Sequence, residues 1–430
     1  MDFFSSNNIL FFNILMWISF LVFYKNKNGR FTLGYVIILL YVGVSFASAY
    51  AFNSEYAPLD FKKDLSIFSF LFLFLMIFIS LIPIISLKEK KIKYLCIPES
   101  KWNDYFCLIM GIFSLLAILQ SFSSVMDGLS ILFSGSDSLV ALYQDSKEER
   151  MSRENFSGSI NIIGIFSNIA RHIGPLLLYG YLLQKKRKTI VLFALACICI
   201  QGVVSGIATA NRATITSSLF PIVMLYFFFK PFIDKPLLLK IKKVFFVFFG
   251  LVVLIMAVIT LARFESISSR YSLDYSIAKY IGEGPIVFDN YCVTSNMTRE
   301  GYFVSPLLNV LAGKKSLSEN EKRFKFGKME VVNSRFYTFV GDYVLDYGVI
   351  VSFFIFIFVS LFAFFYLKHK DGLTYDQLII LYIIFRFCSS FYQASFTNIS
   401  GNLSLLFLLF YSATFYYRIV GTVKIYKKTN

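Results

Sequence analysis

The sequence predicts an all-α protein that crosses a membrane many times. Three observations predict it. Of the 430 residues, 57% are hydrophobic and only 16% are charged, against about 25% charged in soluble domains. Uncharged apolar runs of the length a lipid-crossing helix needs, about 20 residues, recur from end to end and raise the mean hydropathy to +0.65. Lysines and arginines gather in the short stretches between runs, as they do in cytoplasmic loops. A soluble fold would have to bury every run in one core, so that class is set aside. The net charge of +16 invites a nucleic-acid reading. Most of the excess lies in those short loops, so a lipid bilayer is the expected partner and nucleic acid is not. Heavy use of Phe, Tyr, Ile and Lys fits an AT-rich bacterial gene.

The elements follow in order. Ile9–Tyr24 opens the series, and its flank Met1-Asp2-Phe3 carries no Lys or Arg, so no cleavable signal peptide is expected. Lys25, Lys27 and Arg30 mark the cytoplasmic side. Phe31–Phe52 is the second run, followed by a loop of mixed sign with Glu55, Asp60, Lys62, Lys63 and Asp64. Leu65–Leu87 is the third, before a basic loop from Lys88 to Lys101. Asp104–Val125 is the fourth, and the polar segment Met126–Ser159 beyond it has room for a short interfacial helix. Ile160–Leu183 is the fifth and ends at Lys185-Lys186-Arg187-Lys188. Thr189–Ala208 is the sixth, and the tight turn Thr209–Ala213 leads into the seventh, Thr214–Phe229. Lys230, Lys235, Lys240, Lys242 and Lys243 mark the cytoplasm again. Val244–Ala262 is the eighth. Tyr337–Leu367 contains the ninth, Gln377–Phe396 is the tenth and Leu403–Ile419 the eleventh.

The expectation is about eleven helices, with the N-terminus outside and the C-terminus inside. They divide as a bundle over 1–262 of about eight helices, one large outer loop over 263–336, and about three helices over 337–430, all in one integrated domain. The loop is far longer than neighbouring helices need, and long connections are where binding and catalysis concentrate. Within it Leu273, Ile277 and Ile281 recur at helical spacing, predicting an amphipathic helix over the bundle. The six cysteines give no disulfide framework, and Cys197-x-Cys199 reads as core packing.

Several charged residues stand where charge is costly. Arg171-His172 lies mid-way along the fifth run, where an arginine costs at least about 2.5–3.5 kcal/mol. It is either a polar clasp between helices or part of a site below the outer surface. Arg386 in the tenth run is similar, and such a polar chain would equally suit a permeation path. Arg212 occupies the tight outer turn, at the start of a helix with free N–H groups. Its planar fork suits phosphate oxygens, although snorkelling to lipid headgroups explains it as well. Arg263 and Arg335 stand where the loop leaves and re-enters the membrane, and Arg270, Arg299 and Arg323 lie within the loop. At re-entry Asp342 and Asp346, four apart, share a helix face; they are either partners of the helix dipole or a site for sugar binding or proton transfer. No GxxxxGK[ST], HExxH or CxxC occurs, and no cytoplasmic loop holds the Asp-x-Asp of a metal–nucleotide-sugar site. No cofactor or metal is expected, and a transferase of this kind would more easily use a lipid-linked donor from the outer side.

Three motifs carry a resemblance: Asn211-Arg212-Ala213-Thr214, Tyr280-Ile-Gly-Glu283-Gly-Pro285, and Tyr337-Thr338-Phe-Val-Gly341-Asp342-Tyr343 with Asp346-Tyr-Gly348. With the layout of helices around one large loop, the chain resembles the O-antigen polymerase (oligosaccharide repeat unit polymerase) family. The odd helix count departs from the even count common there. The resemblance implies a bacterial inner-membrane glycosyltransferase with its loop in the periplasm. It would join undecaprenyl-diphosphate-linked oligosaccharides, with a chain-length regulator as a further partner. It implies Arg212 and Arg335 on the diphosphate, supported by Arg263, Arg171, Arg270 and Arg299. Glu283 is the implied general base, with Asp342 and His172 behind it, and Tyr280 and Tyr337 would stack on sugar rings. Two rivals stay open: an O-antigen ligase, and a polysaccharide flippase or solute transporter, against which the long loop counts.

Overall fold

The computed structural model describes residues 5–126, 162–267, 272–329 and 336–428, apart from 30, 60, 210, 328, 369–370 and 417–422. Side chains are described for all of these except 261–267, 319, 323 and 423. The helices are α1 (Ser6–Asn28), α2 (Leu33–Asn53), α3 (Ile67–Ser86), α4 (Lys101–Gln120), α5 (Ile162–Leu183), α6 (Thr189–Ala208), α7 (Arg212–Phe229), α8 (Lys235–Ile267), α9 (Leu273–Val287), α10 (Pro306–Leu311), α11 (Glu319–Phe326), α12 (Thr338–Leu367), α13 (Tyr375–Cys388) and α14 (Asn398–Tyr416).

Among the described residues, ten helices are long and apolar enough to cross a membrane. Their outward faces carry large apolar side chains: Phe68, Phe246, Ile350 and Phe358 are 72–82% exposed. Rows of such side chains suit hydrocarbon, not water, and helices satisfy their own backbone groups there. The chain is a helical, polytopic membrane protein.

Two expectations change in detail. The expected tenth span is α13, of only 14 residues. At 1.5 Å per residue it reaches about 21 Å, short of the ~30 Å hydrocarbon core. Its last turn is closed off by side chains. The hydroxyls of Ser389, Ser390 and Ser395 all donate to the Arg386 carbonyl, which the Ser390 amide would take in a continuing helix. The expected ninth span is broken at Gly348, with φ 79° and ψ 166°, a conformation open to glycine at little cost.

The chain also departs from all-α. Strands β1 (Tyr94–Pro98), β2 (Gly372–Leu373) and β3 (Val423–Lys427) form a sheet in the order β2-β1-β3. β1 runs parallel to β2 and antiparallel to β3, pairing Tyr94 with Gly372 and Cys96 with Ile425. Tyr94–Pro98 is too short, and too closely flanked by lysines, to announce a strand by itself. Glu99 anchors the pairing through Lys424 and Tyr426.

The contacts divide the chain into two compact units. The first comprises Met1–Lys91, Arg270–His369 and Ile380–Leu405. In it α9 packs along α2, and α12 along α3. The expected apolar stripe of α9 is not its buried face. Ile277 is 45% exposed, while Tyr275 and Ala278 are buried, as is Gly282 one turn on. At Gly282 that face carries no side chain because α9 there approaches the α2 backbone closely. The second unit comprises Ile92–Ser269, Lys370–Ile379 and Leu406–Asn430. There α4 to α7 pack together, and α8 lies against Val203, Ile215 and Leu219 through Val252 and Ile259.

Short polar helices close their own ends. At α11 the Ser318 hydroxyl accepts from the Glu321 amide, and the Glu321 carboxylate accepts from the Ser318 amide, a capping box. The Lys315 ammonium, then the Ser318 amide and hydroxyl, hold the Glu321 carboxyl down at about 2. A depressed carboxyl stabilises the folded state above its unfolded pKa, and that contribution goes as pH falls through the folded one. Hydrogen exchange at the Glu321 amide is therefore expected to stay slow above about pH 4.3 and to quicken as pH falls toward 2. Glu321→Gln should abolish that pH dependence.

Candidate functional site

The first unit holds a buried ionic knot at the start of α12. Arg299, 3% exposed, lies between Asp342 and Asp346, which are 7% and 1% exposed. Its Nη2 donates to Asp342 Oδ1 at 3.3 Å and to the Asp342 carbonyl at 3.1 Å. Its Nε pairs with Asp346 Oδ1 at 2.9 Å. Helical spacing puts the two acids on one face, one turn apart, so a single guanidinium fork bridges them. Burial works against the charge on Arg299, but the Asp346 and Asp342 carboxylates outweigh it and raise its pKa above the ordinary arginine value. The remaining carboxylate oxygens also have partners. Asp346 Oδ2 accepts from the Phe303 and Val304 amides at 3.1 and 2.7 Å, and Asp342 Oδ2 accepts from the Ala394 amide at 2.8 Å. The guanidinium lies 4.2 Å from the Phe303 ring centroid and 5.8 Å from that of Tyr337.

This knot fastens two irregular stretches, around 299–304 and around Ala394, to the half-helix 338–347. Asn402 on α14 ties the same region further, donating to the Val304 and Phe396 carbonyls and accepting from the Leu307 amide. The backbone here is unusual. Glu300, Thr338, Phe396 and Asn398 all have φ between 53° and 65°. For a β-branched residue such as Thr338 that is a genuine outlier, costing on the order of 1–3 kcal/mol. Its own Oγ1 accepts from the Gly341 amide at 3.1 Å. Strain held in place by a buried network is a reason to look for function nearby.

Glu283 lies beside this region, buried at 5% exposure. Its Oε1 accepts from the Phe336 amide at 3.1 Å. Gly282 and Gly284 flank it. A Cβ at Gly282 would fall 2.2 Å from the Ser48 nitrogen, and one at Gly284 would fall 2.9 Å from Thr338 Cγ2. The glycines thus let α9 wedge against α2 on one side and the start of α12 on the other, with the carboxylate held between. Aromatic rings line the same stretch: Tyr280 meets Phe336 edge-on at 5.1 Å, and Phe336 meets Tyr392 at 5.6 Å.

In the second unit, α6 organises the arginines. Arg171 lies with its Cδ against Gly202, beside the Ser218 hydroxyl, and donates to Asn168 Oδ1 at 2.6 Å. His172 is buried next to it. Gly206, one turn further along α6, meets Ile215 and the Asn211 carbonyl. Arg171 thus lies about 6 Å along the α6 axis from the Asn211-Arg212 turn. Arg212 begins α7 and donates to Thr260 of α8 at 3.3 Å. The helix start is not wholly open: Asn211 Oδ1 accepts from the Ala213 and Thr214 amides at 3.1 and 3.3 Å, as an N-cap does.

The structure therefore sorts the sequence-predicted residues into sets. Arg299, Asp342 and Tyr337 come together, Glu283 and Tyr280 gather around Phe336, and Arg171, His172 and Arg212 border α6. Arg299 and Asp342 are committed to each other, so neither stands as an open ligand for a diphosphate or a proton. Arg263 lies in α8 with its side chain outside the description. Arg270, Arg335 and nearly all of Met126–Ser159 lie outside the described residues. Sequence reasoning missed the roles of Asp346, Asn402, Phe336 and Tyr392. For Asp346 the four-residue spacing from Asp342 was the available signal; for the others nothing local marks them. No family model, curated protein or solved structure matches this chain.

Proposed function

We propose that the protein joins undecaprenyl-diphosphate-linked oligosaccharide repeat units into O-antigen polysaccharide at the periplasmic face of a bacterial inner membrane. In this reading a sugar hydroxyl of the incoming unit attacks the anomeric carbon of the growing glycan. The bond from that carbon to the diphosphate oxygen breaks. The electron pair leaves with the lipid diphosphate, and the hydroxyl proton passes to a carboxylate. No nucleotide is consumed.

The observation that carries the reading is the Asn211-Arg212 turn with Arg171 about one α6 turn away. Two cations at the end of an apolar bundle suit a leaving group that gains negative charge, since preorganised donors act most strongly where water is excluded. Arg212 is assigned to the diphosphate and Arg171 supports it; Arg263, Arg335 and Arg270 are further members to test. Glu283 is the assigned base, because it is an acid held in fixed geometry beside aromatic rings of the kind that stack on sugars. A chain-length regulator is the proposed protein partner.

The test is the lipopolysaccharide ladder of the parent strain, a deletion strain and point variants. Deletion is expected to collapse the ladder to core plus one repeat unit. Arg212→Ala and Glu283→Gln, at normal protein level, are each expected to lower polymerisation by about a hundredfold or more, the effect of losing a charge-stabilising or proton-transferring group. Core without any repeat unit after deletion would overturn polymerisation in favour of ligation or flipping.

A further inference from the structure

A cavity of about 450 Å³ opens where the end of α2 meets the start of α9, within the first unit. Its volume falls in the range of small-ligand sites, about 300–1,000 Å³. Among the described residues Tyr50, Asn53, Glu55, Tyr56, Ser272 and Asp274 line it, and no described lysine or arginine does. A bound metal ion is a poor fit, since among the described residues no three acids, histidines or cysteines group as a metal site.

What the cavity offers is flat rings beside fixed hydrogen-bonding groups. Tyr50 is half exposed, and its hydroxyl donates to Asp274. Tyr56 is 39% exposed and leans on the fully buried Tyr275, centroid to centroid 6.1 Å. Tyr56 is thus backed by a second ring and Tyr50 is held by its hydroxyl, while part of each stays accessible. Asn53 donates to the Ala49 carbonyl, and the Ser54 hydroxyl accepts from the Tyr56 amide, so the polar rim is ordered as well. The Ser272 hydroxyl, then that of Tyr50, hold the Asp274 carboxyl down at about 2. At working pH it is purely an acceptor.

We propose that this cavity is a glycan-binding subsite. One tyrosine ring stacks on the C–H face of a neutral or amino-bearing sugar, while Asn53, Glu55 and Asp274 hold its hydroxyls. Ring faces meet the weakly apolar side of a sugar, and carboxylate and amide oxygens accept from its hydroxyl edge. Assigning the bound sugar to the polymer being built rests on the function proposed above. The binding chemistry does not.

The test uses purified full-length protein in lipid nanodiscs and saturation-transfer NMR. The probes are chitobiose, maltose, and surface polysaccharide freed of lipid by mild acid from the cells that make the protein. Transfer to at least one probe is expected. Tyr56→Ala and Asn53→Ala should each weaken it, by about tenfold for the ring, whereas Tyr56→Phe should keep it. Asn53→Ala carries the test if Tyr56→Ala fails to fold, because Asn53 is exposed. Absence of transfer from all three probes, or equal transfer in the variants, would each overturn the subsite. The ladder experiment reads polymerisation separately. Tyrosine-dependent binding with a ladder that refutes polymerisation leaves the subsite standing and removes the function, and the converse result does the opposite.

Discussion

Arg299→Ala is expected to be the most destabilising single truncation in the first unit, costing about 3–5 kcal/mol, the usual penalty for breaking a buried ion pair from one side. The reason is what remains. Asp342 and Asp346 stay buried within one helical turn of each other with their cation gone. Two carboxylates in that setting repel each other and have lost the water that would screen them. The ring of Phe303 also loses its cation, a smaller term of about 0.5–2 kcal/mol. Thermal unfolding in detergent reads the loss. A second variant separates repulsion from lost packing: Arg299→Ala with Asp342→Asn and Asp346→Asn should recover part of the stability, because the amides remove both charges. If the triple variant is no more stable than Arg299→Ala, the carboxylates are not the source of the cost. Arg299→Lys should not restore the wild type, because an ammonium cannot span both acids as the planar fork does.

The reach of the sequence follows from which forces are local. Spans such as Leu65–Leu87 and Thr189–Ala208 were readable because a lipid-crossing helix announces itself by length and absence of charge. The turn at Asn211-Arg212 was readable because few residues separate two such runs; that Asn211 caps α7, which starts at Arg212, is a finding of the structure. Three other features depend on partners distant in the chain. α13 reads as a span from composition, yet stops at Cys388 because three serine hydroxyls converge on one carbonyl. β1 is a strand only because Gly372 and Ile425 arrive beside it. Arg299 reads as one of many loop charges, and its burial depends on two acids more than 40 positions later. The same limit applies to the stripe of α9. Spacing favoured Leu273, Ile277 and Ile281, but the close approach permitted by Gly282 buries the opposite choice.

That close approach gives the second large effect. Gly282→Ala places a methyl 2.2 Å from the Ser48 nitrogen and 2.3 Å from the Ala47 carbonyl carbon. Both are backbone atoms of α2, so no rotamer change relieves the overlap and α9 must move outward. The hydrogen bond from the Ser48 hydroxyl to the Gly282 carbonyl, 2.6 Å long, stretches with it. Overpacking of this kind costs about 1–3 kcal/mol, and Gly282→Val should exceed Ala. Gly43→Ala on the same α2 supplies the control. Nothing lies within 4 Å of a Cβ there, and replacing a mid-helix glycine by alanine stabilises by about 0.5–1 kcal/mol. Opposite signs at Gly43 and Gly282, read by unfolding in detergent, would locate the cost in the α2–α9 contact and not in helix propensity. The displacement carries on to the next residue. Glu283 holds the Phe336 amide from a helix whose position Gly282 sets, so moving α9 pulls the carboxylate from that amide and from the rings around it. Under the proposed function, Gly282→Ala at normal protein level should shorten the polysaccharide ladder even though it removes no polar group. An unchanged ladder in a protein that melts lower would mean that the position of Glu283 is immaterial to activity, and the base would have to be sought elsewhere.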